Sequence, residues 1–249
     1  MEWREQSGVR WLEARLPGAR AAFSTRLGGV SDGPFESLNL GVLTGDDEGS
    51  VRENRRRLAA AMGRPAADVV IGRQVHGAAL ARHRSAQRPA PFAEPGSPIP
   101  EVDGHVTEDR ALSPLVFVAD CLPIALVGRS GLALLHCGWR GMAAGIVAKG
   151  ADAVGAGTAA IGPGIGPCCY EVGEEVLEAF ASLAEGAADG RMLDLREVAI
   201  SLLRDAGVER IEVSRLCTSC EPDLFFSHRR DGGSTGRQAG IAWLDEEVG

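Results

Sequence analysis

Histidine is scarce in this sequence, with five residues in a chain of 249. Full oxygen reduction at several coppers requires nitrogen-rich coordination by on the order of ten imidazoles. This chain cannot build a cluster of that kind alone. The chain also lacks an excess of positive charge, since its formal net charge is −8 and its isoelectric point is about 5.2. Nucleic acid and anionic membrane surfaces are therefore not expected to be the main partners.

Long apolar runs are also missing. No window offers the ~18 uncharged apolar residues that a membrane-spanning helix needs. Charged residues recur through the N-terminal segment, which therefore has no apolar signal-peptide core. We expect a cytoplasmic protein whose six cysteines are thiols or ligands rather than disulfides. Hydrophobic residues make up 45% of the chain, which is enough for a sizeable core in one large domain or two small ones.

No nucleotide-binding loop is present either. The glycines at positions 162, 164 and 166 superficially resemble one, but Pro163 and Pro167 remove backbone donors from the segment. The spacing is not GxGxxG, and no Gly-Lys-Ser/Thr follows. We interpret this stretch as a tight active-site wall.

The stretch from Ala119 to Gly141 organises the rest of the chain. Its two apolar runs, 122–127 and 132–135, are separated by a Gly-containing turn, which predicts a hairpin of buried strands. Cys121 precedes the first strand and His136 ends the second, so the two side chains should meet at one end of the hairpin. A thiol beside an imidazole makes either a metal site or a nucleophile–base pair.

Helices and further strands are predicted on both sides of this hairpin. The helices start with a Ser50–Glu53 capping box, at Trp139, at Glu174, and with an Asp194–Glu197 capping box. They are expected to run from 50 to about 62, 139 to 154, 174 to 183 and 194 to 206. Strands are expected at 69–75, 115–118, 208–214 and 241–244. Residues 82–102 hold five prolines and are expected to form an irregular loop or flap.

His76 follows a predicted strand and precedes a glycine, so its ring could project into a cleft. Together with Cys121 and His136 it could provide three ligands and leave a fourth position open, the pattern of catalytic zinc. The alternative is a Cys121–His136 nucleophile pair, and spacing does not decide between them. Cys217 and Cys220 have CxxC spacing, but no second pair stands at a matching distance, so we interpret them as packed thiols. A basic, glycine-rich loop with Arg229, Arg230 and Arg237 could also reach a site.

Nine motifs occur in order along nearly the whole chain. They are FSTRLGGVS (23–31), SLNLG (37–41), ENRRRL (53–58), QVHG (74–77), ADCLPI (119–124), LHCGWRG (135–141), GPCCYEV (166–172), FSHRRDG (226–232) and TGRQ (235–238). As a set they resemble the laccase-domain proteins, a family also called purine nucleoside phosphorylases, polyphenol oxidases or peptidoglycan editing factors. The resemblance runs from about residue 20 to 244.

This resemblance implies a single domain, residues 1–249, of mixed α/β class, with a central mixed β-sheet system flanked by helices. It implies zinc, with copper as an alternative, bound by His76, Cys121 and His136. It also implies phosphorolysis of adenosine, inosine and methylthioadenosine, together with adenosine deamination. The same fold group includes deamidating-toxin-like cysteine hydrolases, in which Cys121 and His136 would be nucleophile and base.

Several further residues are candidates for substrate binding and catalysis if nucleosides and phosphate are the substrates. Guanidinium groups match phosphate oxygens, which favours Arg26, Arg55 and Arg140. Asn39 and Gln74 could bond the purine or the ribose. Asp120 could orient a ligand histidine or act as a general base. The chain is expected to be a monomer or a homodimer. Family members often carry cysteine at position 164, where this chain has glycine, and His105 replaces an expected small apolar residue.

Overall fold

The computed structural model describes residues 1–181 and 186–245. Its strands are β1 (Glu2–Gln6), β2 (Val9–Leu16), β3 (Ala19–Ser24), β4 (Val69–Val70), β5 (Leu80–His83), β6 (Gly104–Thr107), β7 (Ser113–Val118), β8 (Leu122–Gly128), β9 (Gly131–Cys137), β10 (Ala156–Ile161), β11 (Ala188–Asp189), β12 (Met192–Leu193), β13 (Arg210–Val213) and β14 (Gln238–Leu244). Its α-helices are α1 (Glu48–Ala61), α2 (Trp139–Ala143), α3 (Ile146–Val154), α4 (Glu174–Ala179) and α5 (Leu195–Asp205).

Two six-stranded sheets form the frame of the molecule. Their strand orders are β1-β2-β3-β14-β7-β4 and β13-β10-β8-β9-β6-β5. Both sheets are mixed, because β4 pairs with β7 in parallel, as do β10 with β13 and β5 with β6, while the remaining pairs are antiparallel. The strands β11 and β12 form a separate two-stranded ribbon. This agrees with the predicted fold class.

The sheets lie face to face, with helices on the outside. Alternate residues of β9 show why: Leu132 and Leu134 pack between the two sheets, whereas Ala133 and Leu135 pack on the helix side. Because successive strand residues point to opposite faces, a strand buried on both sides reads as a continuous apolar run. Helices α3 and α5 cover the second sheet, and α1 covers the first.

The predicted hairpin is confirmed. Strands β8 and β9 are antiparallel, with Leu122 opposite Cys137 and Pro123 opposite His136. The side chain of Cys121, at the entrance to β8, is thereby brought to the end of the hairpin where His136 lies. The sequence pattern alone therefore located the framework of the site.

Other element boundaries differ from the sequence predictions. Helix α1 starts at Glu48, and its N-cap is Asp47, whose carboxylate accepts the Ser50 N–H, so the predicted Ser50 capping box is wrong. The helix predicted over 139–154 is broken at Gly145, which has a φ of +85°. The strand predicted over 69–75 is reduced to Val69–Val70.

The helix predicted over 174–183 is α4, which ends at Ala179. Its predicted end at Leu183 lies outside the described residues. The irregular loop predicted over 82–102 starts later, because residues 82 and 83 belong to β5. The rest of the proline-rich segment is irregular, as predicted, and packs onto the molecule through the buried Ala90 and Phe92. Within residues 1–181 and 186–245, the helices are all too short or too polar to cross a membrane.

Candidate metal and substrate site

A cavity of about 900 Å³ lies beside the entrance to β8. This volume is in the range of small-molecule binding sites, roughly 300–1,000 Å³. Its lining includes His76, Cys121 and His136 on one side and the proline-rich segment on the other. The irregular loop therefore forms part of the wall of the cavity.

The three predicted ligands converge. One ligand atom from each of His76, Cys121 and His136 lies within 4.8 Å of the other two. The two imidazole rings meet edge to face, with their centroids 4.9 Å apart. Two imidazoles and one thiol, with the cavity on the open side, fit a zinc site that keeps a position for water or substrate. The donor set therefore suits the metal that the family resemblance implies.

Asp103, a residue that the sequence analysis did not single out, holds the two histidines in place. Its carboxylate accepts the Nδ1–H of His136 at 2.7 Å. It also accepts the backbone N–H groups of Val75, His76 and Gly77 at 3.1, 2.9 and 2.8 Å. Because Nδ1 of His136 faces the carboxylate, its Nε2 is left for a metal. The Asp103 residue is fully buried.

The metal-free site favours a charged pair. Burial acts to raise the pKa of Cys121, but the charge of His136 and hydrogen bonds from both histidines outweigh it and lower that pKa to about 6. Burial likewise acts to lower the pKa of His136, but the Cys121 thiolate and Asp103 raise it to about 9. The thiolate is the form that both metal binding and nucleophilic attack require.

The backbone around the site is strained at two positions. His76 and Asp120 have φ values of +60° and +95°, which side chains with a Cβ rarely adopt. Gly138 is needed for space, because a Cβ at this position would lie 3.0 Å from Cys121 Sγ and 3.1 Å from His76 Cδ2. The chain thus places the three ligands at the cost of unfavourable local conformations.

Two of the predicted substrate residues line the cavity. Arg55 is almost fully buried and donates from Nε to Leu40 O and from Nη1 to the carbonyls of Pro91 and Phe92. Gln74 also lines it, but its amide is engaged at both ends by the backbone of Phe117, at 2.7 Å each. Gln74 therefore ties the His76 loop to β7.

The other three lie outside the cavity lining. Arg26 donates to the carbonyls of Glu36 and Pro222 and stacks on Phe226. Asn39 is fully buried, and its side-chain oxygen accepts the backbone N–H groups of Gly41 and Arg237. Both residues organise loops. The fully buried Asn39 is not placed to contact substrate, which corrects that expectation, whereas Arg26 lies outside the cavity lining and its contact with substrate stays a prediction.

Arg140 is exposed and stacks on Trp139, with its guanidinium carbon 4.3 Å from the ring centroid. Its charge acts to lower the pKa of Tyr170, a residue of the cavity lining, although burial and the charge of Cys121 raise that pKa overall. Two residues of the glycine-rich loop, Arg229 and Arg237, line the cavity, whereas Arg230 is paired with Asp231. The position of the loop relative to the site agrees with the sequence analysis.

Asp120 lines the cavity but does not contact a histidine ligand. Its carboxylate accepts the Thr218 hydroxyl at 2.6 Å and the Arg229 N–H at 2.7 Å. The orienting role suggested for it from sequence belongs to Asp103. The feature that could have identified Asp103 from sequence is its place immediately before β6, the strand that pairs with β9.

Fold and site together define a class: a two-sheet α/β protein with a His–Cys–His set that could hold a metal ion beside a large cavity. The chain belongs to the family described as multi-copper polyphenol oxidoreductase laccase, whose model matches residues 20–245. It is 38% identical to the purine nucleoside phosphorylase YlmD of Geobacillus stearothermophilus, over 98% of this chain and 97% of that protein.

It is also 38% identical to the purine nucleoside phosphorylase YfiH of Escherichia coli K12, over 91% of this chain and 94% of that protein. The crystal structure of YlmD from Geobacillus stearothermophilus superposes with a TM-score of 0.87 at 37% identity, covering 98% of this chain and 99% of that one. Family and fold are thereby established.

Proposed function

We propose that this chain is a zinc-dependent purine nucleoside phosphorylase acting on adenosine, inosine and S-methyl-5′-thioadenosine. Its relatives are named purine nucleoside phosphorylases. The observation that carries the proposal is the convergence of His76, Cys121 and His136 at a cavity that is also lined by the buried Arg55. A nucleoside and a phosphate are together of the size that such a cavity accepts.

His76, Cys121 and His136 would hold the metal, and Asp103 would fix the His136 tautomer. A bound zinc would supply Lewis-acid chemistry, which can polarise a substrate atom or lower the pKa of a water. The second of these effects supports adenosine deamination as an additional activity. Imidazole and thiolate ligands also suit copper, so a copper-dependent polyphenol oxidation belongs to the same proposal.

Phosphate would be bound by Arg55 and Arg237. Both line the cavity, and neither forms an ion pair with a carboxylate among the described residues. Burial lowers the pKa of Arg55 to about 10, so this group is still charged at neutral pH. A buried cation without a carboxylate partner favours an anionic ligand, and two guanidinium groups can divide the oxygens of one phosphate.

Phosphorolysis forms a bond between a phosphate oxygen and C1′ of the ribose and breaks the bond from C1′ to the purine nitrogen. The bonding electrons leave with the purine, which then takes up a proton. Tyr170 lines the cavity, and burial and the charge of Cys121 raise its pKa to about 12. Its hydroxyl therefore stays protonated near neutral pH, and we assign it as a hydrogen-bond donor to the departing base, which takes its proton from water.

The test is hypoxanthine release from inosine by purified protein, with and without phosphate and before and after chelation. Phosphate-dependent release that chelation abolishes and zinc restores is the expected result. Cys121→Ser should lose the metal of the cavity site and the activity together. Cys137→Ala removes a buried thiol from the adjacent strand β9 and should retain both. Phosphate-independent release, or full activity after complete removal of metal, would contradict the proposal.

A second candidate is a cysteine hydrolase that edits an amide of a peptidoglycan precursor. The observation that favours it is the chain of contacts from Asp103 to His136 to Cys121, which has the roles of an orienting carboxylate, a base and a nucleophile. This function predicts amide hydrolysis that survives chelation and is abolished by thiol alkylation. Loss of hydrolysis on chelation would exclude it.

A further inference from the structure

Four cysteines outside the cavity site form a second cluster. Cys168 and Cys169 lie in the loop after β10, and Cys217 and Cys220 lie in the turn after β13. One sulfur from each lies within 4.8 Å of the other three. Cys220 Sγ is 3.3 Å from Cys168 Sγ and 3.4 Å from Cys169 Sγ. The sequence interpretation of packed, unremarkable thiols is therefore wrong.

The sequence pattern did not predict this cluster, because the expected partner of a CxxC pair in a zinc site is a second CxxC pair. The partners of the CxxC turn are instead two adjacent cysteines, 48 positions before it. Parallel pairing of β10 with β13 brings the loops after both strands to the same edge of the sheet. A bridge between Gly164 and Cys217 continues that pairing up to the cluster.

We propose that Cys168, Cys169, Cys217 and Cys220 bind a structural zinc ion. Four thiolates are a complete ligand set for tetrahedral zinc. A Zn–S distance of about 2.3 Å places the sulfurs of a regular tetrahedron about 3.8 Å apart. The shortest separations here, 3.3 and 3.4 Å, lie below that value, and all lie under 4.8 Å.

The surroundings of Cys217 stabilise negative sulfur. Cys217 Sγ accepts the backbone N–H of Gly166 at 3.2 Å. N–H donation to a ligand sulfur favours the thiolate, which is the form that binds metal. Cys217 is consequently suited to be a metal ligand.

A buried cation adjoins the cluster. Arg196 is 3% exposed, and its Nη2 donates to the carbonyls of Gly164 and Leu216. Its Nε is buried and has no hydrogen-bond partner among the described residues. A Cβ built on Gly166 would lie 3.0 Å from Arg196 Nη2 and 3.3 Å from Cys168 Sγ, so the guanidinium and the sulfur adjoin the same point. Zinc with four thiolates carries a net charge of −2, which this cation would partly balance.

The zinc would also brace the cavity wall. Tyr170, next to Cys169, lines the cavity, and Thr218, next to Cys217, donates its hydroxyl to Asp120. A single ion joining the two loops would therefore hold Tyr170 in place through the first loop and Asp120, by way of Thr218, through the second. A disulfide is the competing use of these thiols, but it would account for two of the four sulfurs, whereas zinc accounts for the convergence of all of them.

The decisive variant is His76→Ala/His136→Ala, which removes two ligands of the cavity site and leaves the four cysteines intact. The protein is purified in a non-thiol reductant. Its zinc content is measured by mass spectrometry and its zinc ligands by X-ray absorption. We expect one zinc per chain with a sulfur-only shell at about 2.3 Å. If that variant does not fold, Cys121→Ser provides the same readout.

Adding Cys217→Ser and Cys220→Ser should reduce the remaining zinc from one per chain to none. The matched control Ser219→Ala alters the same turn without removing a sulfur and should keep the zinc. The proposal is overturned if the variant with intact cysteines carries no zinc or binds it through nitrogen or oxygen. A mass lower by two hydrogens, showing a disulfide within the cluster, also overturns it. None of these readouts depends on nucleoside turnover.

Discussion

Replacement of Asp103 by asparagine is the sharpest single test of how the cavity site is built. The aspartate has one oxygen for the N–H groups of His136 and His76 and the other for those of Val75 and Gly77. Asparagine has the same shape but one oxygen and one NH₂ group. Whichever way the amide turns, two of the four donors then face another donor.

The magnitude follows from those two lost contacts. A buried donor left without a partner costs about 1–3 kcal/mol, so Asp103→Asn should lower the free energy of unfolding by about 2–6 kcal/mol. Loss of an outer partner of a ligand histidine reduces metal affinity by about 10–100-fold. Such a reduction corresponds to about 1.4–2.8 kcal/mol of binding free energy.

The assay is competition for zinc between the protein and a chromophoric chelator, with unfolding followed by denaturant titration. Asp109→Asn is the matched control, since Asp109 accepts a backbone N–H of its own turn, from Ala111, and lies outside the cavity lining. Unchanged zinc affinity in Asp103→Asn, measured on folded protein, would refute the assignment of this carboxylate to the His136 ligand.

Three further outcomes are expected. Asp120→Asn should lower turnover and leave zinc affinity within about twofold, because Asp120 contacts no ligand histidine. Equal losses in a zinc titration and in a rate assay would contradict this. Arg237→Met should raise the KM for phosphate by about tenfold or more, while Arg26→Met should leave that KM unchanged, since Arg237 lines the cavity and Arg26 does not. Steady-state phosphate titrations of both variants test this expectation. In metal-free protein, iodoacetamide labelling of Cys121 should persist down to about pH 6, the pH at which its thiolate takes up a proton. A labelling rate that falls off near pH 8.5, as for an ordinary thiol, would argue against the charged pair.

Sequence reasoning found the hairpin, and with it the nearness of Cys121 and His136, because apolar runs and the turns that bound them are local signals. An apolar run bounded by turn residues fixes a strand, and antiparallel pairing then fixes which residues are opposite each other. Pro123 and His136 are paired for this reason, with Cys121 next to the pair. His76 was a candidate because it follows a predicted strand and precedes a glycine, and the family resemblance then implied that it binds metal together with the other two.

What sequence reasoning missed depends on pairing between distant strands. Asp103 acts on His136 because β6 lies beside β9, and the cysteine cluster forms because β10 lies beside β13. Neither neighbour follows from a periodicity. Asn39 was misassigned for a related reason: an amide looks equally suited to substrate or to backbone until its partners are known, and here they are the N–H groups of Gly41 and Arg237.

The two candidate functions use the same lone pairs, so one molecule cannot perform both at once. Metal binding occupies Cys121 Sγ and the free nitrogen of His136, which removes the nucleophile and the base together. In the metal-free chain the same two groups form a thiolate and an imidazolium, because the pKa of Cys121 is lowered and that of His136 is raised. Metal occupancy would therefore decide which of the two proposed activities the site supports. Phosphorolysis should rise and amide hydrolysis should fall along a single zinc titration, and any hydrolysis that increases with zinc would show that Cys121 is not its nucleophile.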